Sequence, residues 1–420
     1  CIRDSDILSE ITPSVLVTSE DLMFSLGALI SCQLLCAGDS APSDINEDLD
    51  TLFPAADNDL AMILMSSGST GVPKGNCISH GNLHTFVQRA TRIFEFTHQD
   101  RFMSVATLHF DLSTLDLFAS QFVGAHVHLL DEQQVMFPAE ILASLRQQSA
   151  TVLYTVPTNL QMMFRAADQR FDDLRCLLFA GEAMPRSALP ALFKAAPNAH
   201  LANLYGPTET NVVSCYNVQP DDGCENDLPL PIGVACSHSK VWICDAHGQE
   251  VPDGVEGEIC VQGPTVTGGY WQRREMTVAS RVAGQKDTYR TGDIGWRRAD
   301  GTLYFTGRRD HRVKVRGILI NLAEIEHVAL ASGKLSHAAA IVQNPETPRA
   351  CVELFYAPKS GIDIDTKPLR DFLGDRLPRQ WLPARMTQVD KFDQTLNGKT
   401  NRQTLVRMPR DGQTSKTLHD

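Results

Sequence analysis

A short polar loop early in the chain combines the residue types that bind phosphate. Residues 65–75, MSSGSTGVPKG, contain glycines, hydroxyl side chains and Lys74, and they directly follow the apolar run 60–64. Glycine allows close approach of the backbone to a ligand, hydroxyl groups donate hydrogen bonds, and lysine supplies a positive charge. Pro73 separates the loop from the Walker pattern, in which Gly-Lys-Ser/Thr opens a helix. The loop predicts a cradle for phosphate oxygens, and the alternative is a flexible surface linker.

The composition restricts the possible partners. The chain has 420 residues, of which 43% are hydrophobic, and this length allows more than one hydrophobic core. Its net charge of −12 argues against nucleic acid and anionic membranes, since both need a basic surface. The 11 cysteines form no CxxC pair, so we expect reduced thiols and a cytoplasmic protein. The uncharged stretch 22–38 is too short to span a bilayer, and we expect it to be a buried helix.

The order of the predicted elements indicates an α/β fold. Apolar runs of strand length lie at 14–19, 61–65, 102–108, 126–130, 151–156, 176–181 and 200–205. Helical patterns such as 82–94 and 138–148 separate them, as in a sheet with helices on its faces. From Val241 the pattern changes to short β-rich pieces between glycine turns, and after Asp310 it predicts a small α+β unit.

Further motifs follow the polar loop in a defined order. They are HFDLSTLDLF (109–118), NLYGPTET (203–210), GEICVQG (257–263), YRTGD (289–293), GRRDHRVKVRG (307–317), LP (382–383) and NGKTNR (397–402). Together with SSGSTGVPKG they resemble the motifs of the adenylate-forming superfamily. The versions of FDLS, YGPTET, RTGD and NGKTNR are most similar to those of amino-acid adenylation domains of nonribosomal peptide synthetases.

The resemblance implies two lobes. The large lobe, residues 1–309, would contain layered α/β sheets and a β-rich subdomain, and it would be incomplete at its N-terminus because the chain opens partway through it. The hinge would be Asp310. A small, mobile α+β lobe would extend over 310–408, and 409–420 would be a frayed tail.

The resemblance also implies a site for ATP and Mg²⁺. Residues of the loop would hold the pyrophosphate end of ATP, namely Ser66, Ser67, Gly68, Ser69, Thr70, Gly71 and Lys74. Thr208 would contact the α-phosphate and Glu209 would bind Mg²⁺, an ion that prefers oxygen ligands. Tyr205, followed by Gly206, would pack on the adenine, and Asp293 would bind the ribose hydroxyls with help from Arg308. Lys399 would contact the substrate carboxylate and the ribose. The predicted catalytic residues are Lys399, Thr208, Glu209 and Lys74.

The substrate class depends on Asp111 in the FDLS motif. The resemblance implies that this carboxylate pairs with the α-ammonium group of an amino acid, and a buried carboxylate is costly without a cationic partner. The other predicted pocket residues are Leu112, Leu115, Tyr154, Leu178, Ala180, Leu204, Val212 and Val213. They offer no charge to a substrate side chain, so we expect a compact hydrophobic amino acid such as leucine, valine, isoleucine or proline. The Tyr154 hydroxyl leaves open a polar side chain.

These expectations combine into one predicted activity. The chain would activate an amino acid as an aminoacyl adenylate, release pyrophosphate, and transfer the aminoacyl group to the phosphopantetheine thiol of a peptidyl carrier domain. Condensation or reductase domains would be its other partners. Two alternatives remain: an acyl- or aryl-CoA ligase, which would not need Asp111, and a non-catalytic fragment that binds nucleotide without turnover.

Overall fold

The structure is a computed structural model. It describes residues 11, 15–18, 33–36, 55–67, 73–164, 169–224, 228–309, 312–315, 318–343, 350–393 and 400–406. Within these residues no helix is long and apolar enough to cross a membrane. The same residues contain no group of three or more His, Cys, Asp or Glu side chains arranged to hold a metal ion.

A seven-stranded sheet forms the centre of the N-terminal part. In order across the sheet, its strands are β11 (Val234–Ala235), β10 (Ser214–Asn217), β9 (His200–Tyr205), β8 (Cys176–Ala180), β7 (Val152–Thr155), β5 (Arg101–Ser104) and β6 (His126–Leu129). Strands β5 to β9 are parallel, and β10 and β11 are antiparallel to their neighbours. Every residue of β7 and β8 is buried, as in sheets that are covered on both faces. The apolar runs of the sequence predicted the five parallel strands β5 to β9 correctly, whereas β10 and β11 were not predicted.

Alternate residues of the parallel strands enter two separate cores. Leu153 and Leu177 pack with helices α4 (Pro138–Gln147), α5 (Pro157–Phe164) and α6 (Leu189–Ala195). Tyr154 and Leu178 pack instead with helix α1 (His80–Ile93) and with a π-helical turn, Leu115–Ala119. The period of two in a strand produces this division. Two short helices, α2 (Ser120–Val123) and α3 (Glu132–Met136), and 3-10 turns at Arg186–Ala188 and Pro220–Gly223 complete the layers.

The polar loop connects the two strands of a hairpin. Strand β3 (Leu60–Ser67) pairs antiparallel with β4 (Pro73–Ser79), so that Ser66 lies opposite Lys74. This hairpin is its own two-stranded sheet, outside the seven-stranded one. Ser79 then caps helix α1, because its hydroxyl accepts a hydrogen bond from the Asn82 N–H and the Asn82 side-chain oxygen accepts one from the Ser79 N–H.

The stretch 22–38 differs in part from the expected buried helix. Its end contains strand β2 (Gln33–Cys36), which pairs parallel with β1 (Val15–Thr18). A short apolar run fits a strand or a buried helix equally well, so its sequence alone did not distinguish them.

A four-stranded antiparallel sheet follows, as the glycine-rich β pattern predicted. Its order is β12 (Lys240–Cys244), β13 (Gly257–Gln262), β14 (Thr288–Arg297) and β15 (Leu303–Arg308), with helix α7 (Arg274–Ala279) before β14.

The C-terminal part has the predicted α+β composition. It contains the hairpin β16 (Arg312–Val315) and β17 (Ile318–Asn321), helix α8 (Leu322–Ala331), the sheet of β18 (Leu335–Gln343), β19 (Cys351–Pro358) and β20 (Arg385–Gln388), helices α9 (Thr366–Gly374) and α10 (Arg402–Val406), and a 3-10 turn at Arg379–Trp381. Asn321 caps α8, and its amide donates to the Thr306 carbonyl at 3.0 Å. The predicted hinge Asp310 and the tail 409–420 lie outside the described residues.

Candidate active site

The hairpin positions Lys74 at the start of its second strand. Ser66 pairs with Lys74 across the hairpin, and Ser67 pairs with Pro73. The Ser66 hydroxyl lies 3.5 Å from the Lys74 carbonyl, and the Asn76 amide donates to that hydroxyl at 3.4 Å. Four predicted phosphate-binding residues, Gly68, Ser69, Thr70 and Gly71, lie outside the described part of the chain.

Lys74 pairs with Glu209, the predicted magnesium ligand. The Lys74 Nζ lies 2.8 Å from the Glu209 Oε1, and both atoms contact the Tyr270 hydroxyl, at 2.9 and 2.7 Å. Burial alone would lower the pKa of Lys74, but the interactions with Glu209 and Tyr270 together outweigh burial, and the Lys74 pKa is raised. Burial alone would raise the pKa of Glu209, but the interactions with Lys74 and Tyr270 together outweigh burial, and the Glu209 pKa is lowered. Both side chains are therefore charged at neutral pH.

The YGPTET turn presents Thr208 and Glu209 after the parallel strand β9. The turn folds back so tightly that a Cβ on Gly206 would lie 1.7 Å from the Asn211 carbonyl oxygen. Asn211 itself has φ of 52°, in the left-handed region that asparagine tolerates better than most residues. Only glycine fits at position 206, so the tight turn explains that residue of the motif.

Asp293 lies beside Tyr205, as the predicted nucleotide site requires. The Tyr205 hydroxyl donates to the Asp293 Oδ2 at 2.7 Å, and Arg308 donates to the Asp293 Oδ1 at 3.1 Å. Asp293 is buried on strand β14, opposite Arg308 on β15. The structure thus joins three residues from motifs that are up to 103 positions apart in the printed sequence. The Tyr205 ring is tilted relative to Phe305, with centroids 6.4 Å apart.

Asp111 meets the YGPTET turn directly. The Thr208 hydroxyl donates to the Asp111 Oδ2 at 2.5 Å. The loop that carries Asp111 is held by its own hydroxyl groups, because Ser113 donates to the Phe110 carbonyl at 2.8 Å and Thr114 donates to the Asp111 carbonyl at 2.6 Å. The residue predicted for the amine and the residue predicted for the α-phosphate are therefore in contact.

The apolar pocket residues also come together, with one exception. One buried cluster contains Leu112, Leu115, Tyr154, Leu178, Ala180 and Leu204. Val212 packs against this cluster. Val213 does not share it, because its side chain is buried in a second cluster with Ile232 and Val241. The Val213 N–H donates to the Tyr205 carbonyl at 2.8 Å and extends the β9–β10 ladder, in which successive side chains point to opposite faces.

Lys399 lies outside the described residues, so its predicted place in the site stays a prediction. Motif reading missed two tyrosines instead. Tyr270 contacts Lys74 and Glu209, and the Tyr289 hydroxyl lies 3.1 Å from the Tyr270 hydroxyl. Tyr289 opens the YRTGD motif, and Tyr270 follows two glycines after the GEICVQG motif. Their places in or near these motifs were the available signal that the two tyrosines lie close to the site.

The sequence of this chain is similar to those of several known proteins. A family described as AMP-binding enzyme matches residues 6–271. An L-proline–[L-prolyl-carrier protein] ligase of Pseudomonas fluorescens is 39% identical over 357 residues, which cover 83% of this chain and 69% of that protein. A ligase of the same name from Streptomyces coelicolor is 36% identical over 362 residues, covering 84% and 67%. A dimodular nonribosomal peptide synthase of Bacillus subtilis is 30% identical over 96% of this chain and 17% of its own length.

Solved structures share the fold. A holo four-domain nonribosomal peptide synthetase bound to AMP and glycine has a TM-score of 0.82 and 25% identity, over 99% of this chain and 30% of that one. ATP-bound MatB from Rhodopseudomonas palustris has a TM-score of 0.82 at 20% identity, over 96% and 80%. The fold and the clustered motifs define an adenylate-forming enzyme. The chain belongs to the AMP-binding enzyme family, which confirms the superfamily and the mixed α/β fold expected from its motifs.

The donor set agrees with the magnesium ion that the motifs implied. Glu209 offers a carboxylate that is only 7% exposed and already faces a cation, Lys74. Magnesium usually takes one or two protein carboxylates and completes its shell with phosphate oxygens and water. Glu209 would therefore hold Mg²⁺ together with the nucleotide.

Proposed function

We propose that this protein activates L-proline with ATP and transfers the prolyl group to the phosphopantetheine thiol of a carrier protein. Two relatives that share more than a third of their aligned residues with this chain are named as ligases for L-proline and its carrier protein. The predicted pocket fits that substrate. Apart from Asp111, its residues carry no charge. A compact ring needs no charged partner.

The contact between Thr208 and Asp111 is the observation that carries the proposal. Through their 2.5 Å hydrogen bond, the predicted α-phosphate residue contacts the residue predicted to bind the substrate amine. An amino acid whose ammonium group meets Asp111 would then present its carboxylate near Thr208. Such an arrangement would favour attack of the carboxylate on phosphorus, because orienting both reactants lowers the entropic cost.

In the first half-reaction, a carboxylate oxygen of proline forms a bond to the α-phosphorus of ATP. The bond from that phosphorus to the bridging oxygen breaks, and pyrophosphate leaves with its electron pair. Lys74 would offset the charge on the leaving phosphates, and Thr208 would donate a hydrogen bond to the α-phosphate. Glu209-bound Mg²⁺ would supply Lewis-acid stabilisation of phosphate charge. Lys399 would reach the substrate carboxylate.

In the second half-reaction, the carrier thiol attacks the prolyl carbonyl carbon. The thioester bond forms, AMP leaves, and the thiol proton passes to solvent. A condensation or reductase domain would be the next consumer of the thioester. Because the reaction consumes ATP and uses a free thiol, we also propose a cytoplasmic location.

ATP–pyrophosphate exchange tests this function. We expect exchange to depend on L-proline and to be at least about tenfold weaker with leucine, valine or isoleucine, because branched side chains differ in shape from the pyrrolidine ring. Cyclopentanecarboxylate, which lacks the ring nitrogen, should give no exchange. Preference for that acid or for an aryl acid would support a CoA ligase instead. Nucleotide binding without exchange for any acid would indicate a non-catalytic protein.

A further inference from the structure

Tyr270 is the side chain that connects the two charged residues of the phosphate site. Its hydroxyl accepts a hydrogen bond from the Lys74 Nζ at 2.9 Å and donates one to the Glu209 Oε1 at 2.7 Å. The Lys74 Nζ also lies 4.4 Å from the centroid of the Tyr270 ring. Lys74 and Glu209 are 135 residues apart in the sequence, and no local chain geometry holds them together. Because Tyr270 contacts both side chains, it helps to set the distance between them.

The main chain around Tyr270 is attached to both sides of the same site. The Thr267 N–H donates to the Glu209 carbonyl at 2.9 Å, and the Trp271 N–H donates to the Gly75 carbonyl at 2.8 Å. On the same strand, β4, the Cys77 N–H donates to the Gly269 carbonyl at 2.9 Å. Residues 267–271 therefore join the YGPTET turn to strand β4, directly behind Lys74.

The backbone of this segment is constrained. Gly269 has φ of +119°, and a Cβ there would lie 2.3 Å from the Thr277 side chain. The Tyr270 N–H donates to the Thr277 hydroxyl at 2.9 Å. Tyr270 itself is 7% exposed. The position of its hydroxyl is thus determined by the fold and not by a mobile loop.

We propose that Tyr270 is a positioning residue for MgATP, which holds Lys74 and Glu209 in register as they exchange partners. The inference rests on the proposed function, which assigns Lys74 to phosphate and Glu209 to magnesium. In the structure these two residues pair with each other, so each must change partner when MgATP binds. A neutral hydroxyl both donates and accepts, and it keeps a contact with each residue during that exchange.

The test is Tyr270→Phe, which removes the hydroxyl and keeps the ring. Calorimetric titration with ATP at several Mg²⁺ concentrations should show about tenfold weaker MgATP binding, as expected for the loss of a hydrogen bond to a charged group. The half-saturating Mg²⁺ concentration should rise. The KM for proline, measured separately by ATP–pyrophosphate exchange, should not change. The matched control is Tyr304→Phe, because Tyr304 is also buried and its hydroxyl accepts a long hydrogen bond from Arg298, at 3.4 Å, away from Lys74 and Glu209.

A double-mutant comparison separates positioning from a structural role. In a Lys74→Met background, Tyr270→Phe should add less than a threefold further loss of MgATP affinity, because the two residues act through one contact. Fully additive losses would overturn the proposal, as would unchanged MgATP affinity and Mg²⁺ dependence in folded Tyr270→Phe.

A second pair of variants applies if Tyr270→Phe does not fold. Thr277→Val removes the hydroxyl that accepts from the Tyr270 N–H, whereas Thr277→Ser keeps it. We expect weaker MgATP binding for the first variant only, and equal affinity in both would overturn the proposal. These titrations contain no amino acid, so a wild-type protein that binds MgATP but fails to exchange with proline would contradict the proposed function alone.

Discussion

Lys74 is the residue on whose charge the proposed phosphate site would depend most directly. We predict that Lys74→Ala raises the KM for MgATP at least about tenfold, because the variant loses a point charge near the leaving phosphates. The order of preference among amino acids should stay the same, since Lys74 lies outside the apolar cluster. Exchange assays with ATP and amino acids varied separately measure both. Lys240→Ala, which removes an exposed lysine, is the control; an unchanged KM for MgATP in Lys74→Ala would contradict the cradle.

We propose that Asp111 determines the class of substrate. We predict that Asp111→Asn lowers proline-dependent exchange about 100-fold, because the substrate ammonium loses its buried ionic partner. The effect should fall mainly on the KM for proline, and the KM for MgATP should change little. Asp173→Asn replaces an exposed aspartate and serves as the control. Wild-type kinetics in Asp111→Asn would exclude the proposed amine contact.

At this scale the motifs point to polar residues of the proposed site but not to their supports. Lys74, Glu209, Thr208 and Asp111 each lie in a motif that the resemblance assigns to the site, and the structure places Lys74 against Glu209 and Thr208 against Asp111. Tyr270 could not be predicted in this way, since a tyrosine after two glycines is equally consistent with an ordinary core residue. Its role depends on contacts with residues 61 and 196 positions away, which no local pattern reports.

Among the elements, the N-terminal ends of strands β5 and β7 are linked by one buried carboxylate, that of Asp100. Asp100 accepts two hydrogen bonds from Arg175, at 2.7 and 2.6 Å, and one from the Thr151 hydroxyl at 2.7 Å. Burial alone would raise the pKa of Asp100, but Arg175 together with the Thr97 N–H and the Thr151 hydroxyl outweighs burial, and the Asp100 pKa is lowered. The ionised carboxylate therefore stabilises the fold.

We predict that Asp100→Asn lowers the free energy of unfolding by about 2 kcal/mol at neutral pH, since it removes a charged acceptor of several hydrogen bonds. A lowered pKa stabilises above the unfolded-state value, and that contribution disappears as the pH falls through the folded value. The difference between wild type and variant should therefore be constant down to about pH 4 and shrink at lower pH. Urea denaturation at several pH values measures it. Asp172→Asn, at an exposed ion pair, should show no such difference.

The elements themselves were predictable to different degrees. The parallel strands β7, β8 and β9 are mostly apolar and buried, and the sequence predicts each within about two residues. The hairpin of β3 and β4 was predicted only in its first strand, because β4 contains lysine, glycine and asparagine and has no strand pattern. Strand β2 was predicted as helix, since its four residues have no period that distinguishes the two.

For the whole molecule, we propose that the C-terminal part rotates about Asp310 between the half-reactions. Lys399 would lie in the site for adenylation, and the loop 316–317 would approach the pantetheine thiol afterwards. A polar contact crosses this hinge, because the Asn321 amide donates to the Thr306 carbonyl at 3.0 Å. A hydrogen bond of this kind can break when the two parts separate.

The prediction for this motion uses each half-reaction separately. Lys399→Ala should lose adenylate formation by at least about 100-fold, because the charge between carboxylate and α-phosphate is no longer offset. The variant should still transfer a chemically supplied prolyl adenylate to a carrier thiol. Lys391→Ala, an exposed lysine of the same part of the chain, is the control. Equal damage to both steps would contradict the rotation.

The division of Val212 and Val213 between two cores limits how this enzyme can change by insertion. Val212 packs against the cluster of the proposed pocket, and the adjacent Val213 packs in the core behind it. The tight turn at Gly206 leaves no room for an extra residue before them. One added residue between positions 206 and 213 would move a pocket side chain into the other core and reverse every later one. Substrate preference should therefore evolve here by replacing side chains, and a library with altered loop lengths in this turn should yield almost no folded members.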